Sequence, residues 1–486
     1  MLILVLRIIE KLLIIYFSAY FLIDIVLYIY SILNFRKRTK TNTENIDYNR
    51  YSISVIVPAY NEEVSIVSCI KMLLEIDYKD FEVIVVNDGS KDETMKLLID
   101  TFDLEEKEFS SDNYLKTKKI KSFFFDKNKK LIAIDKENGG KADSINTGIN
   151  FSTKKYICTI DADSILDSQA LRKVIEPFIS NPNTFVSGGQ LAASNDVVIK
   201  HNKVVSSRMP RNIWVLWQII EYIKSFMISR IGLSRINALL IMSGAFSVYK
   251  KADLRNVGGF LTEHNNHPYL EKTIGVGHKT ICEDMEIVVR LWRYFIENKK
   301  KAKAVFLAQP VCWTEMPDNA KNLFKQRSRW QIGLAETLKI HRTLAFEPKY
   351  GTIGLIAYPY YFLFELLSPV IKIFTLIFIV FAAFAGTINF AWVMLLIVSI
   401  TLTTAIIMSS LTVVIENWSQ KHFAANRDAL RYKNFANWLW LLFVGIISDF
   451  SYAFFRLYSQ FVGIIKFLQK KSEWNKFERK GVKTEG

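Results

Sequence analysis

The sequence predicts an α/β domain on a mostly parallel sheet, flanked by helices that cross a membrane or lie on its surface. Three observations predict it. Apolar, β-branched runs end repeatedly in polar turn clusters, each followed by a helical pattern. Long apolar stretches lie outside those runs, one before them and three after. Between them, from about residue 51 to 342, the chain has the composition of a water-soluble domain.

The first apolar stretch, Leu12–Leu33, is long enough to cross a bilayer. It is too long for a secretory leader and lacks an Ala-x-Ala-like cleavage site, so it reads as a retained anchor. Arg36-Lys37-Arg38 follows it, and basic residues stay on the cytoplasmic side. The expected location is therefore a multi-pass plasma-membrane protein with its soluble domain in the cytoplasm.

Ser52–Val57 is an apolar strand closed by Pro58, followed by Ala59-Tyr60-Asn61-Glu62-Glu63 and a helical pattern to about Glu75. A second strand, Phe81–Val86, stops at the turn residues Asn87-Asp88-Gly89-Ser90. Leu131–Asp135 precedes Asn138-Gly139-Gly140-Lys141, with a helix from about Ala142. Tyr156–Ile160 runs into Asp161-Ala162-Asp163. Strands apolar on both faces and alternating with helices form a parallel sheet covered on both sides. Such sheets bind ligands at the carboxyl ends of their strands, where Asp88, Lys141, Asp161 and Asp163 would converge.

The later apolar stretches are roughly Tyr361–Gly386, Ala391–Ile415 and Trp438–Phe467. The expected organisation is an anchor at 1–36, a catalytic domain at 50–318 and an interfacial helix region at 319–350. An apolar region at 354–468 and a basic tail at 469–486 complete it. Four full spans would leave the C-terminus outside, whereas the tail's lysines and arginine argue for the cytoplasm. Either one stretch lies in the interface or Trp438–Phe467 is broken or re-entrant, which Asp449 and Arg456 within it favour.

The net charge of +16 suits basic loops against anionic lipid. No nucleic-acid motif accompanies it, so no nucleic-acid partner is expected. Lys116–Lys130 reads as a solvated loop or hairpin. Cys69, Cys158, Cys282 and Cys312 have no C-x-x-C pairing and read as buried thiols rather than disulfides or zinc ligands.

Two carboxylates at the end of a buried strand need a positive partner, because desolvating an unpaired carboxylate is costly. A hard divalent cation, Mg²⁺ or Mn²⁺, is one such partner and takes carboxylates together with phosphate oxygens. A salt-bridged or capping pair is another. Lys141 beside two glycines offers a point charge for phosphate. Glu283 and Asp284 open the helical run IVVRLWRYF. The helix dipole alone would place acids there, and so would a general base. Gln326, Arg329 and Trp330 share one helical face, suited to a sugar ring near a pyrophosphate or to the headgroup level of a membrane.

PAYNEE, VNDGS, GGKADSIN, DAD, MSGAF, CED and QRSRW occur in this order. In this the chain resembles the processive family-2 membrane glycosyltransferases, which make cellulose, mixed-linkage β-glucan, poly-N-acetylglucosamine, chitin and hyaluronan. The resemblance covers about Ser52 to Arg342. It implies a GT-A fold, a UDP-sugar donor, a divalent metal, a growing glycan as acceptor and inversion at the anomeric carbon. It also implies contact with membrane lipid, and leaves accessory subunits or self-association open.

Residue by residue, the resemblance puts Tyr60, Glu62 and Asp88 on the uridine and Lys141 on the nucleotide phosphates. Asp161 and Asp163 fall on nucleotide and metal, with Asp163 the direct ligand. Asp284 becomes the catalytic base. Ser243, Gly244, Glu283, Gln326, Arg329 and Trp330 border acceptor and pyrophosphate. Trp474 and Arg479 loosely match an element that closes over nucleotide in hyaluronan-type enzymes, and equally suit a juxtamembrane anchor. The acidic motif is CED where cellulose synthases have TED, and neither their FxVTxK-type gating loop nor an appended cyclic-dinucleotide-binding domain is expected.

Intact acids at Asp88, Asp161, Asp163 and Asp284 argue against an inactive scaffold. The QRSRW element favours a processive enzyme over one that adds a single sugar to a lipid carrier. The form of that element and the segment after it lean toward UDP-glucose and a β-glucan, with a UDP-N-acetylglucosamine polymer as the alternative. Asp24, Glu365, Lys372, Asp449 and Arg456, ionisable residues inside apolar stretches, either line a path for the polymer or pair helices together.

Overall fold

A computed structural model describes residues 1–37, 47–108, 114–128, 130–423 and 431–471. Its strands are β1 (Ile53–Ala59), β2 (Phe81–Asn87), β3 (Glu105–Glu106), β4 (Ile120–Phe125), β5 (Leu131–Lys136) and β6 (Tyr156–Ile160). Then follow β7 (Ile165–Leu166), β8 (Thr184–Ala193), β9 (Val197–Lys200), β10 (Lys203–Ser207), β11 (Phe246–Lys250) and β12 (Lys303–Thr314). Ten of them form one sheet in the order β3-β4-β5-β2-β1-β6-β11-β8-β12-β7, and β9 and β10 make a separate hairpin.

The centre of the sheet is parallel. β5, β2, β1 and β6 run side by side, with Val55 opposite both Val83 and Cys158 and with Val83 opposite Leu131. Every residue of β2 is buried, which explains the apolar run Val83–Val86 within it. Beyond β6 the sheet is mixed: β11 pairs antiparallel with β6 and β8, while β8 and β12 are parallel. The lysine-rich run becomes β4, a hairpin arm antiparallel to β5. Cys69, Cys158 and Cys312 are buried, Cys282 is half-buried, and all four are free thiols.

This register gathers the site. The carboxyl ends of β5, β2, β1 and β6 lie along one edge. Because β11 runs against β6, with Phe246 opposite Ile160, the chain just before β11 reaches the same edge. Ser243 and Gly244 are thereby delivered beside Asp161.

Among the described residues, two helices are long and apolar enough to cross a membrane, at Leu2–Leu33 and Phe390–Val414. Two further pairs qualify only if each counts as one bent span: Ile353–Leu366 with Ser368–Phe384, and Phe435–Ser448 with Tyr452–Leu468. They bend by 48° and 47° respectively. The first bend falls just before Pro369, which cannot continue the preceding ladder. The second falls at Asp449–Ser451, within the stretch whose charges favour a broken segment. Only 11% and 6% of the most apolar windows of the two long helices is covered by protein, which leaves their apolar surface for lipid. This is a membrane protein.

Candidate active site

The loop after β5 organises one end of the edge. Gly140 adopts φ of 88°, a conformation that favours glycine. There the amides of Gly139 and Gly140 donate to the two oxygens of Asp88, at 2.9 and 2.8 Å. Lys136, fully buried at the end of β5, lies 2.6 Å from Asp88 Oδ1 and 2.8 Å from Asp143 Oδ1. His264 Nε2 sits 2.6 Å from Asp143 Oδ2. Asp88, at the end of β2, is thus clamped to the loop after β5 by those two amides and the buried Lys136. Lys136, Asp143 and His264 escaped the sequence reading. The usable signal was a lysine ending an apolar strand immediately before ENGG.

Lys141 starts the next helix, Lys141–Phe151. Its Nζ lies 2.7 Å from Asp161 Oδ1 and 2.9 Å from Glu283 Oε1, and donates to the Gly244 carbonyl at 3.2 Å. Burial opposes its charge, but Asp161 and Glu283 prevail and raise the ammonium above its ordinary value. The Gly244 amide donates to Asp284 Oδ2 at 2.9 Å. A Cβ on Gly244 would lie 3.0 Å from Lys141 Nζ and 3.2 Å from Asp284 Oδ2, so this close approach needs glycine.

Asp284 stands in the first turn of the helix Glu283–Glu297. Burial and the neighbouring Glu283 carboxylate push it up to about 6, against the pull of Lys141, Arg230 and the Gly244 amide. A carboxylate poised there can accept a proton near neutral pH. Two residues on, Glu286 accepts from Arg290 Nε and Nη2 at 2.9 and 2.6 Å. His341 Nε2 lies 3.0 Å from its Oε1. That buried triad ties the Asp284 helix to the end of the helix Ala320–Ile340.

The QRSRW segment lies on the helix Ala320–Ile340, and Gln326, Arg329 and Trp330 all face the same cavity as Asp284. The contact to Trp330 comes from another residue of the motif. Arg327 stacks its guanidinium 4.1 Å from the indole centroid.

Tyr60, Glu62, Asp88, Lys141, Asp161, Asp163, Ser243, Gly244, Glu283 and Asp284 border that cavity too, which has a volume of about 1470 Å³. It does not end at the sheet edge. Asp24, Glu365, Lys372, Asp449 and Arg456 line it as well. Asp449 is also paired with Lys224 at 3.1 Å, and Arg456 approaches Glu221 at 3.6 Å. For these two charges, lining and pairing are the same arrangement.

Asp161 and Asp163 flank the turn between β6 and β7, where the Ser164 amide donates to the Asp161 carbonyl at 3.0 Å. Among the described residues no group of three or more His, Cys, Asp or Glu is gathered for a metal. Both residues border the cavity, Asp161 paired with Lys141 and Asp163 with both carboxylate oxygens buried, and two such carboxylates suit a hard divalent ion, Mg²⁺ or Mn²⁺, that draws its other ligands from phosphate and water. Trp474 and Arg479 lie outside the described residues.

Residues 54–258 match the family described as Glycosyl transferase family 2. The poly-beta-1,6-N-acetyl-D-glucosamine synthase of Staphylococcus epidermidis is 26% identical over 287 residues, covering 59% of this chain and 55% of the relative. Its namesake in Staphylococcus aureus is 25% identical over 303 residues, covering 62% and 58%. The chain thus spans just over half the length of the curated relatives it matches. The mannosyltransferase PcManGT from Pyrobaculum calidifontis, solved with GDP-Man and Mn²⁺, superposes with a TM-score of 0.54 at 17% identity, covering 91% of this chain and 99% of that one. At that identity the likeness speaks to the fold alone. The lean toward UDP-glucose and a β-glucan finds no support, since both relatives are named for an N-acetylglucosamine polymer, the type held as the alternative. The order of the motifs and the sheet edge that gathers them agree with that match: residues 54–258 are similar to a family-2 glycosyltransferase domain.

Proposed function

We propose that the chain is an inverting, processive polysaccharide synthase that uses UDP-N-acetylglucosamine and passes its product into the membrane region. The observation that carries this reading is the single cavity. It joins the acids of the sheet edge to Asp24, Asp449 and Arg456 of the apolar helices. On this reading a polymer made at the sheet edge leaves between the apolar helices that line the other end.

In this reading Tyr60, Glu62 and Asp88 bind the uridine. Lys141, held by Asp161 and Glu283, orients the diphosphate and offsets its charge. Asp161 and Asp163 would hold Mg²⁺ or Mn²⁺, which when bound neutralises the leaving diphosphate. Trp330 stacks under the acceptor sugar, with Gln326 and Arg329 beside it. The acceptor hydroxyl attacks the anomeric carbon from the face opposite the diphosphate. Its proton passes to Asp284, the new glycosidic bond forms, and the bond to UDP breaks. Arg36 and Lys37 at the end of the first helix orient the catalytic domain toward the cytoplasm. Membrane lipid surrounds the apolar helices.

The test is UDP release from the protein in nanodiscs with Mg²⁺ or Mn²⁺, with UDP-N-acetylglucosamine and UDP-glucose in parallel. Products are then sized and digested with linkage-specific glycosidases. Long products from the acetylated donor, lost in Asp284→Asn, support the proposal. Turnover with UDP-glucose alone returns the reading to a β-glucan. A single sugar on a lipid fraction replaces the processive reading with that of a lipid-carrier transferase.

A further inference from the structure

The acceptor platform has a foundation outside the seven motifs. Glu221 ends the helix Ile213–Glu221, and its side chain is largely buried at 10% exposure. It pairs with Arg327, and Arg456 Nη1 lies 3.6 Å away. The Tyr452 hydroxyl donates to Glu221 Oε2 at 2.7 Å. One carboxylate therefore joins three elements: its own helix, the QRSRW helix and the last helix, Tyr452–Leu468.

Arg327 connects this node to the site. Its Nη2 is held by Glu221, its Nη1 donates to Gln326 Oε1 at 2.5 Å, and its plane covers Trp330 at 4.1 Å. The guanidinium is fixed on three sides, which fixes the indole under it. The last helix cannot drift from this arrangement. A Cβ at Gly463 would lie 2.7 Å from the Ser328 carbonyl, so its backbone rests directly on the QRSRW helix. Glu221, Arg327, Trp330 and Arg456 all face the cavity, where its wall passes from the catalytic domain to the apolar helices.

We infer that Glu221 is a positioning residue for the acceptor. Through Arg327 it holds the Trp330 platform in register with the membrane part of the cavity, and it offsets the two arginines that the outgoing chain must pass. Its removal acts on retention of the growing glycan rather than on donor binding. This inference rests on the proposed polymerising function.

The test compares wild type, Glu221→Gln and Arg327→Lys in nanodiscs, reading product length and donor KM together. Gln keeps the shape of Glu221 and removes its charge. Lys keeps a cation for Glu221 and removes the plane from the indole. Each variant should shorten the product roughly five-fold, the scale of one cation–π contact, with donor KM within about two-fold of wild type because the nucleotide contacts lie elsewhere. The double variant should be no worse than the more severe single one, because both act on one unit. Unchanged product length in both variants overturns the inference, as does a loss of turnover with length preserved. If Glu221→Gln fails to fold, Arg327→Lys alone decides between these outcomes. Wild type that makes no polymer defeats the polymerising function instead, and with it the premise.

Discussion

Lys141 Nζ lies 2.7 Å from Asp161 Oδ1, which joins the helix-start lysine of one motif to the first carboxylate of another. The same ammonium reaches Glu283 and the Gly244 carbonyl, so a single cation joins the β6 end of the cavity to the chain before β11 and to the start of the Asp284 helix. Lys141 also lowers Asp284, and losing it should move the acid limb of the rate profile upward. In Lys141→Gln, kcat should begin to fall at a higher pH than in wild type, and donor KM should rise. Rate profiles in matched buffers decide. An unmoved acid limb would show that Asp284 does not feel Lys141.

For wild type, that limb should centre on about 6, the value to which burial and Glu283 raise Asp284. In its proposed role as base Asp284 works deprotonated, so activity should fall as pH drops through that value. Asp284→Asn should lose about a thousand-fold in turnover, the scale of one general base, while still binding UDP. Calorimetry with UDP separates the two quantities.

Gly244→Ala places a Cβ 3.0 Å from Lys141 Nζ and 3.2 Å from Asp284 Oδ2. The methyl group pries the lysine from the base at the centre of the site. Thermal stability should change little and turnover should collapse. Equal activity would mean that the loop yields without cost.

Glu286 makes a prediction about stability. Burial would raise it, but Arg290 and His341 overcome that and hold it at about 2, below its ordinary 4.5. A depressed carboxylate stabilises the fold above its ordinary value, and that contribution is lost as pH falls from about 4.5 toward 2. Glu286→Gln leaves Arg290 buried without its counter-charge and should cost about 3–5 kcal/mol. Denaturation monitored in detergent at pH 7 should show the loss, and the gap between variant and wild type should narrow on acidification.

Removal of divalent metal by chelation should stop UDP release, and added Mn²⁺ should restore it. Asp163→Ala should raise the Mn²⁺ concentration needed for half-maximal rate. Full activity in the presence of chelator would remove the metal from the proposed site.

The parallel centre of the sheet was legible because β1, β2, β5 and β6 are almost wholly buried and each carries an apolar run. Asp88 and Asp161 stood out because each follows the end of such a strand, whereas Asp284 opens a helix. The antiparallel flank was not legible. β8 is interrupted by Ser187-Gly188-Gly189, and β12 has Pro310 after its apolar run Ala304–Ala308, so neither reads as one continuous strand. Arg327 and Glu221 were hidden for another reason. Spacing placed Gln326, Arg329 and Trp330 on one face, but the residue that covers the indole is chosen by a carboxylate more than a hundred positions away.

The cavity that joins the sheet edge to the apolar helices has a physiological consequence. Any water-filled passage among membrane helices is a breach in the permeability barrier, through which protons and ions run down their gradients. A cell can tolerate such a passage only while it is stoppered. On the proposed function, the nascent glycan is the stopper, and keeping hold of the chain between additions protects the cell's ion gradients as much as it lengthens the polymer.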